Sequence, residues 1–278
     1  MVRELLVHAF QYGPAHRPPR ATFRRGRQLL WCCAFAVLFG PGPALAIDGG
    51  SPATRDRLAR ATVAVGTASA AGGQLDFSHC SGVLIGADLV LTAAHCVGDH
   101  PQGAVVVPYD GDRPVDSPHW AATVAKYYVE PGRILAADIP AQISALSSDV
   151  AVIRLATPIR GRNPIPMSDG EGRVASHLTL AAAGLSQRGI GRLKTAALRP
   201  LFITETGVTV ARAIDARVCL GDSGGPVIEA SRKGPRLFGV ASAVITSQGP
   251  CGSLVVIAPA RAAIGPATAA EQAFRSGR

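Results

Sequence analysis

Cys219-Leu220-Gly221-Asp222-Ser223-Gly224-Gly225-Pro226 is the stretch of this 278-residue chain on which the fold reading turns. Glycines on both sides of a serine permit backbone angles that other residues avoid, and they let another molecule approach the main chain closely. A flexible Gly/Ser linker would not carry an Asp, a Cys and a Pro at fixed offsets beside strand-like runs. Such runs, rich in Val, Ile, Leu and Thr and punctuated by Gly, Pro and Asp, recur through the chain. They include Thr62–Val65, Gly82–Ile85, Leu89–Thr92, Val105–Val107, Val150–Leu155 and Leu178–Ala182. Leu201–Thr204, Val208–Ala211, Pro226–Ile228, Leu237–Ala241 and Leu254–Ile257 continue the series. Gly86-Ala87-Asp88 reads as a hairpin turn, and the segment Arg261 to Phe274, interrupted at Pro266, reads as a short helix. Many short strands with few helices imply a sandwich or barrels. Thr157 to Pro166 holds three prolines and reads as a linker between halves of similar size. No internal repeat is visible.

The first 46 residues have the three parts of a secretory signal. Arg17, Arg20, Arg24, Arg25 and Arg27 precede the apolar run Leu29 to Phe39, a Gly40-Pro41-Gly42-Pro43 breaker, and Ala44-Leu45-Ala46. An apolar run this short falls well below the ~20 residues a spanning helix needs, so no stable membrane anchor is expected. Cys32 and Cys33 fall in the discarded segment. Cleavage after Ala46 leaves 232 of the 278 residues, starting at Ile47-Asp48-Gly49-Gly50. The formal charge of +9 then drops to +4, with 22 basic and 18 acidic residues. That excess is small, and no basic run is interleaved with aromatics, so a nucleic-acid partner is not expected. Cys80, Cys96, Cys219 and Cys251 remain. In an exported chain an even count implies two disulfides, with three pairings open, and it places the protein in a periplasm or outside the cell. The cysteine spacings do not resemble a zinc site.

Two further clusters accompany the serine. Leu91-Thr92-Ala93-Ala94-His95-Cys96 sets a histidine beside a cysteine and among small residues, and Ser148-Asp149-Val150-Ala151-Val152-Ile153-Arg154-Leu155 opens a strand-like run with an aspartate. Together with the Ile-x-Gly-Gly start, these motifs resemble the trypsin/chymotrypsin-like serine proteases over essentially the whole mature chain. Their order, His then Asp then Ser, is the family's order. The resemblance implies an all-β fold of two packed six-stranded antiparallel β-barrels with a short C-terminal helix. Barrel one would occupy about 47–157, the linker 158–166, and barrel two with the helix 167–278. It implies a secreted serine endopeptidase in which Ser223 is the nucleophile, His95 the base and then the acid, and Asp149 the group that orients the ring and stabilises the imidazolium. The N–H groups of Gly221 and Ser223 would form the oxyanion hole. The same resemblance pairs Cys80 with Cys96 and Cys219 with Cys251.

The family also explains the Ile47 start, because its new N-terminal ammonium pairs with the Asp before the nucleophile, here Asp222. No propeptide separates the signal from Ile47, so signal cleavage itself is expected to create the active N-terminus. Asp48 departs from the apolar residue usual after the leading Ile. By the same resemblance Arg217 stands where the family has its pocket floor, so cleavage after Lys or Arg is not expected. Ser242 fits a place beside Asp149, Ala243 removes an aromatic wall, and Val244 narrows the pocket mouth. Small apolar or acidic residues at the cleavage position are both compatible with this pocket. The 74-residue spacing from Asp149 to Ser223 is short for the family and implies trimmed loops in the second barrel. Expected partners are a protein or peptide substrate and, as a further class, a proteinaceous inhibitor. The chain is expected to be a monomer without metal or organic cofactor. A catalytically inactive, protease-like binding module is the alternative; a periplasmic quality-control protease is disfavoured by the paired cysteines and the Ile-x-Gly-Gly start.

Overall fold

A computed structural model describes residues 7–9, 46–71, 74–98, 101–127, 139–168, 176–186, 189–246 and 249–265, with 267–268 and 272 beyond. The first half builds β1 (Thr62–Ala71), β2 (Gln74–Leu84), β3 (Leu89–Thr92), β4 (Pro101–Asp110), β5 (His119–Tyr127) and β6 (Val150–Leu155). The second half builds β7 (Leu178–Ala182), β8 (Lys194–Ile203), β9 (Thr209–Ala213), β10 (Pro226–Glu229), β11 (Arg236–Ile245) and β12 (Leu254–Pro259). Each set closes into a six-stranded antiparallel barrel. Pairing runs β1-β2-β3-β6-β5-β4 and back to β1, then β7-β8-β9-β12-β11-β10 and back to β7. The two barrels therefore share one strand order, although no repeat is visible in the residues that form them. Closure leaves neither barrel an unpaired lateral edge along its full length.

Continuous burial explains the central strands. Every residue of β3 is buried, and so is all of β6 except the half-buried Arg154. The core of barrel one is assembled from Val63, Val83, Leu91, Val152, Ile153 and their neighbours. Barrel two centres on Leu180, Leu198, Val227, Val255 and Ile257, and Ile47 is part of that core.

The segment 157–166 crosses between the barrels in register, with Ile159 N–H donating to Ala87 (2.9 Å) and Ile165 N–H to Leu84 (3.0 Å). The Leu201–Thr204 run is the exposed end of a strand that begins earlier, at Lys194. A bulge at Pro200–Phe202 turns that end outward into a tight reversal, where Gly207 N–H donates to Thr204 (2.9 Å). This short hairpin accounts for part of the close spacing of Asp149 and Ser223.

Two short helices, Arg57–Ala61 and Ile139–Ala145, lie outside the barrels. Asp56 caps the first by accepting from Ala59 N–H at 2.9 Å. A 3₁₀ turn at Ala260–Ala263 opens the C-terminal helix, whose far end toward Phe274 lies outside the described residues. Most of the segment before Ala46 also lies outside them. Its described part, Val7–Ala9, pairs antiparallel with the outer edge of β11 at Ala243–Ile245. Among the described residues no helix is long and apolar enough to cross a membrane.

Candidate active site

His95 sits in a 3₁₀ turn, Ala94–Cys96, at the end of β3. The Cys80–Cys96 disulfide, with Cα atoms 6.1 Å apart, ties that turn back to β2. Asp149 ends another 3₁₀ turn, Leu146–Ser148, immediately before β6. Because β3 and β6 are paired neighbours, the aspartate and the histidine meet at one end of barrel one. Asp149 Oδ1 accepts from the His95 backbone N–H at 3.0 Å, and Oδ2 contacts His95 Nδ1 at 2.8 Å. Ser242, on β11 of the other barrel, donates to the same Oδ2 at 2.6 Å.

Burial of Asp149 favours its neutral form, but the His95 charge and the hydrogen bonds from His95 and Ser242 outweigh that cost. The carboxyl is held below its ordinary range. Burial likewise disfavours the imidazolium, yet the Asp149 charge and hydrogen bond hold His95 above the usual histidine range. An ionised Asp149 and a Nδ1–H tautomer follow, leaving Nε2 as the ring's free basic atom.

Ser223 lies in the turn between Cys219 and Gly225. Gly221 and Gly224 both have positive φ there, at 87° and 77°. Gly224 is required by contact as well. A Cβ at that position would lie 2.2 Å from both Ser81 O and Thr92 Oγ1 and 2.9 Å from Ala93 N. The serine turn is thus pressed against the segment that leads into His95. His95 Nε2 and Ser223 Oγ are both buried, and neither has a hydrogen-bond partner among the described residues. The backbone N–H groups of Gly221 and Ser223 likewise donate to no described residue.

Asp222 points the opposite way, into barrel two. Its Oδ2 accepts from Ile47 N–H (3.1 Å) and Cys219 N–H (2.8 Å), and its Oδ1 from Gly184 N–H (3.0 Å). Burial pushes its pKa up to about 7, against the pull of those three donors and of the Lys194 charge. Lys194 also donates from Nζ to the Ile47 carbonyl at 3.1 Å. The paired glycines after Ile47 are needed for this seat. Gly49 has φ +78° with Asp215 O 2.6 Å from any added Cβ, and a Cβ on Gly50 would meet Ile47 Cγ2 at 2.6 Å.

Of the residues expected at the specificity pocket, Ser242 and Val244 are buried in β11. Arg217 pairs its backbone with Asp48, while its exposed guanidinium donates to the Cys251 carbonyl at 2.7 Å. Cys219 and Cys251 are disulfide-bonded, with Cα atoms 4.1 Å apart. Cys80, Cys96 and His95 gather potential metal-ligand atoms within 4.8 Å. Both sulfurs are consumed by the disulfide, so the cluster offers no thiolate, the form that binds zinc. Gly184, Lys194 and Ser81 carry no signal in the sequence, because each acts through a contact with a distant segment.

The sequence profile described as Trypsin matches residues 47–262, most of the chain. No curated protein sequence matches it. Among solved structures, one titled as the HL collagenase superposes with a TM-score of 0.58 at 20% identity, covering 79% of this chain and 96% of that one. At that identity the likeness speaks for the fold.

Proposed function

The chain belongs to the trypsin family of serine proteases, and from that premise we propose that it is a secreted serine endopeptidase working through a Ser223–His95–Asp149 triad. One observation carries the reading. The two atoms that must exchange a proton, Ser223 Oγ and His95 Nε2, are buried on segments pressed against one another, and neither is engaged by any described residue. His95 Nε2 takes the Ser223 proton as the hydroxyl attacks the scissile carbonyl, and later returns it to the leaving amine. Asp149, locked by Ser242, keeps the proton on Nδ1 and balances the imidazolium charge. The developing oxyanion is received by the N–H groups of Gly221 and Ser223. Water then hydrolyses the acyl-enzyme by the same route in reverse.

The outer edge of β11 beside Ser242 already accepts an extended segment, Val7–Ala9, in antiparallel register. A peptide substrate needs that form of recognition, in which main-chain hydrogen bonds hold the ligand. Val244 is buried, and the Arg217 guanidinium is engaged with Cys251 O. Both observations favour a small apolar side chain at the cleavage position over an acidic one.

Activation follows from the seat of Ile47. With the Ala46–Ile47 bond intact, Ile47 holds φ at 22°, a region costly for a β-branched residue. Cleavage there removes the constraint on φ and turns the Ile47 N–H into an ammonium facing Asp222 Oδ2. Signal cleavage after Ala46 therefore both releases the mature chain and activates it.

Intact mass of the exported protein, before and after diisopropyl fluorophosphate, tests the reading. A start at Ile47 with one phosphoryl adduct, absent in Ser223→Ala, is expected. A start at Ile47 without an adduct would leave a binding module on a protease fold.

A further inference from the structure

Ser81 lies on β2, in barrel one, and is fully buried. Its N–H donates to the Ser223 carbonyl at 2.8 Å. Its hydroxyl accepts from Ala183 N–H at 2.9 Å and donates to the Gly221 carbonyl at 3.3 Å. Its own carbonyl accepts from Thr92 Oγ1 at 2.7 Å, three residues before His95. One residue therefore touches the residue that follows β7, the Gly221–Asp222 and Ser223–Gly224 peptides of the nucleophile turn, and the segment that leads into the histidine.

We propose that the Ser81 hydroxyl is a positioning device for the nucleophile turn, fixing the Gly221–Asp222 peptide through its carbonyl so that the Gly221 N–H, on the other side of the Cα, is presented to substrate. The proposal rests on the serine endopeptidase reading above. Its physical basis is the freedom of glycine. Gly221 sits at φ 87° and has no side chain to restrict rotation, so its conformation must be imposed from outside. Asp222 is fixed on one side by the N–H groups of Ile47, Cys219 and Gly184. On the other side, the Ser81 hydroxyl is the side-chain group that grips the Gly221 carbonyl. A hydroxyl has one proton to donate, and with Ala183 N–H filling a lone pair, that proton is directed to Gly221 O. The backbone bond from Ser81 N–H to Ser223 O needs no side chain and survives substitution. The hydroxyl is therefore a separable contribution to alignment.

The test compares wild type, Ser81→Ala and Ser81→Thr as exported protein. The readouts are the rate of diisopropyl fluorophosphate adduct formation, and kcat and KM for p-nitrophenyl acetate, an ester that makes no demand on the pocket. Affinity for phenylboronic acid, whose tetrahedral adduct places an oxygen in the oxyanion hole, is measured alongside. Outright loss of an oxyanion donor lowers kcat by about 10²–10³-fold, so loss of an anchor behind one is expected to lower it about tenfold. KM should stay unchanged, phenylboronic acid should weaken in parallel with kcat, and Ser81→Thr, which keeps the hydroxyl, should recover most of the rate. A merely structural role would lower the melting temperature without this split. Should Ser81→Ala lose its cooperative melt, Ser81→Cys, similar in size with a weaker donor, is read in its place and should fall in the same direction. A folded Ser81→Ala or Ser81→Cys that labels and turns over at the wild-type rate overturns the proposal and leaves the enzyme reading intact. A wild type that forms no adduct removes the enzyme reading, and this one with it.

Discussion

Leaving Ile47 joined to the residues before it should make the protein's stability fall as pH rises from about 4 toward 7. With the Ala46–Ile47 bond intact, Asp222 is buried against three backbone N–H donors and its pKa is about 7, against an ordinary 3.8. A carboxyl raised in the folded state holds its proton longer there than in the unfolded chain. The stabilisation is fully present below about pH 4 and is lost as pH climbs toward 7. A rise of roughly three units corresponds to about 4 kcal/mol, or roughly 10 °C of melting temperature for a chain of this size. Cutting at Ile47 replaces the amide 3.1 Å from Oδ2 with an ammonium. Asp222 then remains ionised in a buried pair, whose disruption by loss of one partner costs about 3–5 kcal/mol. The loss moves to alkaline pH, where the amine, raised above its usual range by Asp222, finally deprotonates. Thermal melts of a chain starting at Ala44 and of one starting at Ile47, each at pH 5 and pH 8, make the comparison. About two of those three units fall between pH 5 and pH 8, so the longer chain is expected to lose about 2.7 kcal/mol, or roughly 7 °C, between the two pH values, and the shorter one little. The same pH dependence in both chains would refute the reasoning, because the carboxylate would then be indifferent to what faces it.

Three further outcomes are expected. Activity should rise with pH through a midpoint above the ordinary histidine value, because Asp149 holds His95 high and only the neutral ring can accept the Ser223 proton; a midpoint below 6 in kcat/KM would remove that coupling. Asp149→Asn should lower kcat on the order of 10⁴-fold with the melting temperature little changed, since the ring loses the partner that fixes its tautomer, and a loss below tenfold would argue against the role. Replacing Cys219 and Cys251 together by Ser should cost about 3–4 kcal/mol in urea unfolding, given the 32-residue separation the bridge closes; an unchanged midpoint would contradict the entropic account.

Much of the site was legible in order along the chain. His95, Asp149, Ser223 and Asp222 each lie in a short motif whose neighbours are dictated locally: a cysteine beside the histidine, a buried strand after the aspartate, glycines around the serine. The glycine pair at 49–50 was legible as a signal, but the reason for it was not. Its cause is the approach of Asp215 O and the Ile47 side chain, which only the packed structure brings near. The helix at Ile139–Ala145 is only seven residues long and the strand at His119–Tyr127 is rich in small residues, so neither carries a long apolar pattern that marks it in the sequence. Arg217 was assigned to a pocket floor by position, while its exposed guanidinium is held by the Cys251 carbonyl, a partner 34 residues away.

The sequence by itself determined the family, the two-barrel class and the order of the reactive groups, because these depend on residue types at short, fixed offsets. Only the tertiary structure decided that both barrels share one strand order, that Lys194 stands beside Asp222, and that Ser81 spans from barrel one to the nucleophile turn. Strand order is set by backbone pairing, which many different side chains permit. A hydroxyl becomes an anchor only when folding brings it, buried, against a carbonyl 140 residues away along the chain.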